Sequence, residues 1–82
     1  MIRVVLFTRE GCHLCENAKR DILDVGRRKN VQIAIEEVDI DTDERLRELF
    51  DHEVPVIFIE GVERFRYRVD REQLGRFLES TT

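Results

Sequence analysis

Residues 2–7 form a short run, β-branched or otherwise apolar at every position except Arg3, which marks a buried strand. Residues 8–11 follow as a polar loop ending in glycine. From Leu14 the apolar period lengthens, with Leu14, Ala18, Ile22 and Val25 at spacings of four, four and three, so they share one face of a helix. Residues 26–30 close this helix with a basic cluster suited to the negative end of its dipole. Residues 31–38 read as a second strand, in which Val31, Ile33 and Ile35 alternate with polar or small residues. Strand, helix and strand in succession place the two strands parallel, joined by a right-handed crossover. The opening half of the chain therefore commits it to an α/β architecture.

The second half adds an antiparallel hairpin. Residues 54–59 are apolar apart from Pro55 and read as a central strand. Glu60-Gly61 supplies a tight turn. Residues 62–69 form the fourth strand, with Phe65, Tyr67 and Val69 on one side and Arg64, Arg66 and Arg68 on the other. Asp41 with Glu44 resembles a capping box ahead of a short helix carrying Leu46, Leu49 and Phe50. Asp70 with Gln73 caps a last helix whose buried face is Leu74, Phe77 and Leu78. The predicted order is β-α-β-α-β-β-α, a four-stranded mixed sheet with helices on both faces, and residues 1–82 are expected to form one domain.

A chain of 82 residues buries a thin core, and domains of this size often rely on covalent staples. Here the two cysteines, Cys12 and Cys15, would close so small a loop that a disulfide constrains the unfolded chain very little. A chemical role is the better explanation of the pair. No stretch has the length of a signal peptide or a membrane span, so the chain is expected in the cytoplasm, where thiols stay mostly reduced. Charged residues reach 39%, but their signs are mixed and the net charge is −4. That argues against a nucleic-acid partner, and no membrane partner is expected either.

Cys12 falls where the polar loop meets the first helix. The unpaired N–H groups and partial positive charge of a helix start favour an anion, so a thiol there loses its proton more readily. Cys15 lies one turn further in, placed to attack a mixed disulfide formed on Cys12. The pair therefore reads as a redox-active dithiol that cycles through a Cys12–Cys15 disulfide. A mononuclear metal site is disfavoured. Tetrahedral zinc needs four ligands, and beyond the cysteines only His13 and His52 are good candidates. His13 is placed either to add positive charge beside Cys12 or simply as an exposed loop histidine. Arg9 is placed to steady the thiolate or grip a substrate carboxylate, the alternative being a solvated arginine. Glu16 opposes both, since a nearby negative charge raises a thiol pKa. Pro55 stands inside an apolar strand, where proline is tolerated at an edge or at a special backbone geometry. A cis Val54–Pro55 bond and a trans proline on an edge strand are both open on these grounds.

With these residues in view the chain resembles a glutaredoxin of the thioredoxin-fold superfamily. The matching pieces are Phe7-Thr8-Arg9-Glu10-Gly11-Cys12-His13-Leu14-Cys15-Glu16, the Val54-Pro55-Val56-Ile57-Phe58 segment and the order of elements. Gly-Cys-His-Leu-Cys-Glu is similar to a group of small glutaredoxin-like proteins. The resemblance implies a thiol–disulfide oxidoreductase with Cys12 attacking and Cys15 resolving. It implies that Pro55 is cis and faces them, and that the Val54 backbone pairs with an extended substrate. It matches Arg9 to the basic residue that glutaredoxins place near the glycine carboxylate of glutathione. Disulfide substrates, on proteins or as glutathione mixed disulfides, are the partners implied for a monomer. Glutathione enters as a possible co-substrate, and no resident cofactor or metal is expected. Two departures stand out. Cys-His-Leu-Cys replaces Cys-Pro-Tyr-Cys, and bulky residues at 65–69 replace the Gly-Gly pair that precedes the last helix in glutaredoxins. A thioredoxin-fold binding module without catalysis, and an iron–sulfur carrier bridged through Cys12, are the alternative functions.

Overall fold

The computed structural model describes residues 1–81. The strands are β1 (Ile2–Thr8), β2 (Ile33–Asp39), β3 (Val56–Ile59) and β4 (Val62–Arg66), and the helices are α1 (His13–Arg28), α2 (Glu44–Phe50) and α3 (Arg71–Thr81). They form one four-stranded sheet in the order β2-β1-β3-β4. β1 runs parallel to β2 and antiparallel to β3, which pairs antiparallel with β4. The expected β-α-β unit and terminal hairpin are both present. Both centres of the Glu60-Gly61 turn take positive φ, 50° and 82°, the left-handed pair that two-residue hairpins favour.

Alternation along β1 and β3 sends side chains to two layers. Ile2, Val4, Leu6, Ile57 and Ile59 meet Ala18, Ile22 and Val25 of α1 and Leu74 and Leu78 of α3 in the larger core. On the opposite face Phe7, Val56 and Phe58 pack with Phe50 of α2, Ile40 and Val54. Fully burying one such side chain stabilises a fold by about 1.5–3 kcal/mol, so these two layers hold the sheet. Charge links α1 to α3 at both ends. Arg71 bonds Asp21 at 2.7 Å and also reaches Asp24, and Lys29 pairs with Glu79. The Arg71 hydrogen bond holds the Asp24 carboxyl below its ordinary range.

Several boundaries differ from expectation, each for a tertiary reason. Gly26 does not end α1. It is buried inside the helix, and a Cβ there would come 2.5 Å from Cδ1 of Ile33. The chain reverses after Asn30, which carries the left-handed φ of 58°. Cys15 rather than Leu14 belongs to the buried stripe of α1; Leu14 is 38% exposed. Asp41 is not a cap: Asp39 caps the 3₁₀ turn Ile40–Thr42 and Asp43 caps α2. Leu49 is exposed, leaving Phe50 and the half-buried Leu46 as the inner face of α2. Asp70 does cap α3, accepting the Gln73 N–H at 3.0 Å.

β4 ends at Arg66, three residues short of the expected boundary. Ile57 stands opposite Phe65 and Phe58 opposite Glu63, so Arg64 has no partner across the ladder. This bulge breaks the alternation and separates the arginines. Arg64 lies 4.5 Å over the Phe77 ring of α3, whereas Arg66 turns toward Phe50 on the other face. Tyr67 then takes φ of 68° and leaves the strand.

Candidate functional site

The loop from β1 delivers Cys12 to the N-cap of α1, where extended backbone (φ −87°, ψ 103°) leaves its side chain free to cap the first turn. The Cys12 Sγ accepts the Cys15 N–H at 3.1 Å. The two cysteines are joined as a disulfide, with Cα atoms 5.2 Å apart. Their environments differ. Cys12 is half-buried and open to solvent, while Cys15 is 3% exposed and packs with Ile40, Phe50, Val54 and Val56. An open groove of about 610 Å³ runs beside the pair, lined by Gly11, Cys12, Cys15, Lys19 and Leu23 among others. Among the described residues no three His, Cys, Asp or Glu side chains gather as a metal site.

Val54 and Pro55 are buried and joined by a cis peptide bond. Pro55 directly precedes β3, an inner strand, and its bond to Val54 is cis, so the edge-strand trans alternative does not hold. Its carbonyl accepts the Tyr67 N–H at 2.8 Å, and no described residue pairs with the Val54 backbone. Val54 shares the small apolar cluster with Cys15, and Cys12 packs against it, so the structure brings Cys12, Cys15 and Val54 together.

Arg9 and His13 are placed differently from the sharper expectations for them. The Arg9 guanidinium grips the Asp41 carboxylate with two nitrogens, Nε at 3.1 Å, and donates Nη1 to the Asp51 carbonyl at 3.2 Å. It is half-buried and engaged by these partners, and it ties the loop before Cys12 to the segments flanking α2. The Arg9 hydrogen bond holds the Asp41 carboxyl below its ordinary range, and the same bond raises the Arg9 pKa. The His13 side chain is 92% exposed, 3.8 Å from Glu16. His52, likewise exposed, lies 3.6 Å from Asp51.

In sequence Asp41 reads as a cap and Arg66 as one of three arginines on a strand face; the structure makes both ion-pair partners, and Glu53, which carries no sequence signal, joins Arg66. Aspartates at 39, 41 and 43 supply two caps, which leaves the middle one for Arg9; that spacing was the available clue. Nothing local distinguished Arg66 from its neighbouring arginines.

A family profile described as "Glutaredoxin-like domain (DUF836)" matches residues 3–79. The chain belongs to this glutaredoxin-like family. The glutaredoxin-like YDR286C homolog of Dictyostelium discoideum is 34% identical over 83 residues, spanning 96% of this chain and 77% of that protein. Among solved structures, protein Ne2328 from Nitrosomonas europaea superposes with a TM-score of 0.75 at 30% identity, covering 94% of this chain and 91% of the other. Escherichia coli NrdH-redoxin, a glutaredoxin-like protein with a thioredoxin-like activity profile, gives a TM-score of 0.61 at 22% identity over 90% and 92% of the two chains. This last likeness shows the thioredoxin fold alone. Within this glutaredoxin-like fold the Cys12–Cys15 pair occupies the start of the first helix.

Proposed function

We propose that this chain is a thiol–disulfide oxidoreductase that works through Cys12 and Cys15. The observation that carries the reading is the half-exposed Cys12 Sγ at the head of α1, accepting the Cys15 N–H. The same arrangement stabilises a thiolate once the disulfide is reduced. The Cys12 thiolate attacks one sulfur of a substrate disulfide, forming a mixed disulfide and releasing the other sulfur as a thiolate. Cys15 then loses its proton and attacks the Cys12 sulfur. The Cys12–Cys15 disulfide forms, the second substrate sulfur departs as a thiolate, and two electrons have passed to the substrate. An external dithiol, or two glutathione molecules, returns them. Burial of Cys15 suits it to this second, internal attack only.

The Val54 backbone, with which no described residue pairs, belongs to the segment clustered with Cys15 and suits an extended polypeptide that adds as a short strand. This favours protein disulfides over glutathione mixed disulfides. The proposed setting is the reducing cytoplasm, with a monomer acting without resident cofactor or metal. No described helix is long and apolar enough to cross a membrane.

Dithiothreitol-driven reduction of insulin tests the reading. Wild type should accelerate it, Cys12→Ser should abolish the acceleration, and Cys15→Ser should trap a mixed disulfide on Cys12. No acceleration by wild type would leave the binding-module reading in its place. An absorption spectrum of anaerobically purified protein tests the cluster carrier, which requires a visible charge-transfer band.

A further inference from the structure

Arg66 gathers three contacts at the end of β4. Its Nη1 pairs with Glu53 at 3.0 Å, its Nε and Nη2 bond Glu63 at 2.6 and 2.9 Å, and its guanidinium lies 5.6 Å from the Phe50 ring centroid. Two of these contacts, those to Glu53 and Phe50, bear on the same short segment, while Glu63 fixes the guanidinium from within β4. Glu53 immediately precedes Val54 in the chain. Phe50 packs with Val54 in the small core and meets the Phe7 ring in a tilted contact at 4.8 Å. The next residue, Tyr67, donates its N–H to the Pro55 carbonyl. Only a planar fork can meet two carboxylates and a ring face together; a lysine ammonium would keep the charge and lose the simultaneous contacts. From this convergence we infer that Arg66 is a positioning residue: through Glu53 and Phe50 it holds the Val54–Pro55 segment in register for an incoming substrate strand. The inference rests on the oxidoreductase reading above and deepens it. Arg66 touches neither sulfur in any contact described, so its effect belongs to substrate binding and not to thiolate chemistry.

Two disulfides separate these effects. Insulin needs a seated backbone; Ellman's reagent, a small aromatic disulfide, needs only a reactive Cys12. Glu53→Gln should raise the KM for insulin by about three-fold, the scale of a half-exposed ion pair, with kcat unchanged. Arg66→Ala should raise it further, and Arg66→Lys should fall between wild type and Arg66→Ala. The rate with Ellman's reagent should stay at the wild-type value throughout. Hydrogen exchange of the Tyr67 amide should accelerate in the same order, because that amide reports how Pro55 is seated. Lys29→Gln, which removes an ion pair at the far end of α1, should change none of these readings. Three results would overturn the inference: an unchanged insulin KM in Glu53→Gln and Arg66→Lys, an equal fall in the Ellman rate, or Tyr67 exchange no faster than in Lys29→Gln. The Gln and Lys variants keep the test decisive if Arg66→Ala fails to fold. If wild type reduces no insulin, the oxidoreductase reading fails by itself, and Tyr67 exchange still decides whether Arg66 holds the segment.

Discussion

Arg9 and Asp41, separated by 32 positions in sequence, meet through two guanidinium nitrogens and so fasten the loop ahead of Cys12 to the turn that follows β2. Arg9 also reaches the Asp51 carbonyl, so one side chain braces the approach to the disulfide against both ends of α2. The folded chain holds the Asp41 carboxyl below its ordinary 3.8, and the unfolded chain therefore binds that proton more readily. The resulting stability is complete above about pH 4 and disappears as pH falls through the lower folded value. Urea midpoints of wild type and Asp41→Asn should differ at neutral pH and converge once the pH has fallen below the lowered folded value. Parallel curves over the whole range would show that the pair contributes nothing through charge.

Cys12 should titrate well below a free thiol, whose pKa is about 8.5, and Cys15 should not. The cause is the cap geometry, which gives Cys12 a backbone N–H and the positive end of α1, while Cys15 sits among apolar side chains. Thiolate absorbance against pH in the two single Cys→Ser variants decides it. A Cys12 value at or above that of the free thiol would remove the basis for its role as nucleophile.

Turnover of glutathione mixed disulfides should be poor relative to the reduction of insulin. Arg9, the residue matched to the glycine carboxylate of glutathione, is engaged by Asp41. Tyr67, within the stretch 65–69 that stands in place of the Gly-Gly pair of the resemblance, takes a left-handed φ of 68° and is 45% exposed beside a groove of about 300 Å³ lined with Leu14 and Asn17. Tyr67→Gly should relieve the backbone cost of about 1–2 kcal/mol and raise glutathione turnover. Brisk turnover in wild type, in an assay coupled to glutathione reductase, would show that the bulky segment does not obstruct the tripeptide.

Gly26→Ala should destabilise the protein although alanine is the better helix former. The propensity gain is about 1 kcal/mol, but the new Cβ would press on Cδ1 of Ile33 at 2.5 Å and approach the Val31 carbonyl at 3.3 Å. Overpacking of this kind costs about 1–3 kcal/mol. Adding Ile33→Val, which deletes that methyl, should recover much of the loss. Thermal melts of the two single variants and the double variant form the cycle, and additive effects would place the cost elsewhere.

Local signals were legible in the sequence. The apolar runs gave the inner strands, Glu60-Gly61 announced left-handed dihedrals, Asp70 announced a cap, and Cys-x-x-Cys after a strand placed the sulfurs at a helix start. Features decided by a distant neighbour were not. Gly26 looks like a terminator until Ile33 is seen beside it. The arginines of β4 look like one solvated face until a single bulged residue sends Arg64 to α3 and Arg66 to α2. Arg9 looks free until the backbone brings Asp41 alongside. At the candidate site, the cysteines and the Val-Pro segment carry their meaning in their own spacing, whereas the ion pairs that brace them depend on the finished fold.

The sulfur of Cys12 is also the cap of α1, and this constrains how the protein can be studied. Replacing Cys12 by alanine deletes the nucleophile and the acceptor for the Cys15 amide together. Losing a helix cap costs about 0.5–2 kcal/mol, enough to loosen the turn carrying Cys15 and disturb any interface formed there. A complex that fails to assemble on such a variant reports on a frayed helix as much as on a missing bond. Serine retains an oxygen able to accept that N–H, so pull-down and crystallisation work should begin from Cys12→Ser.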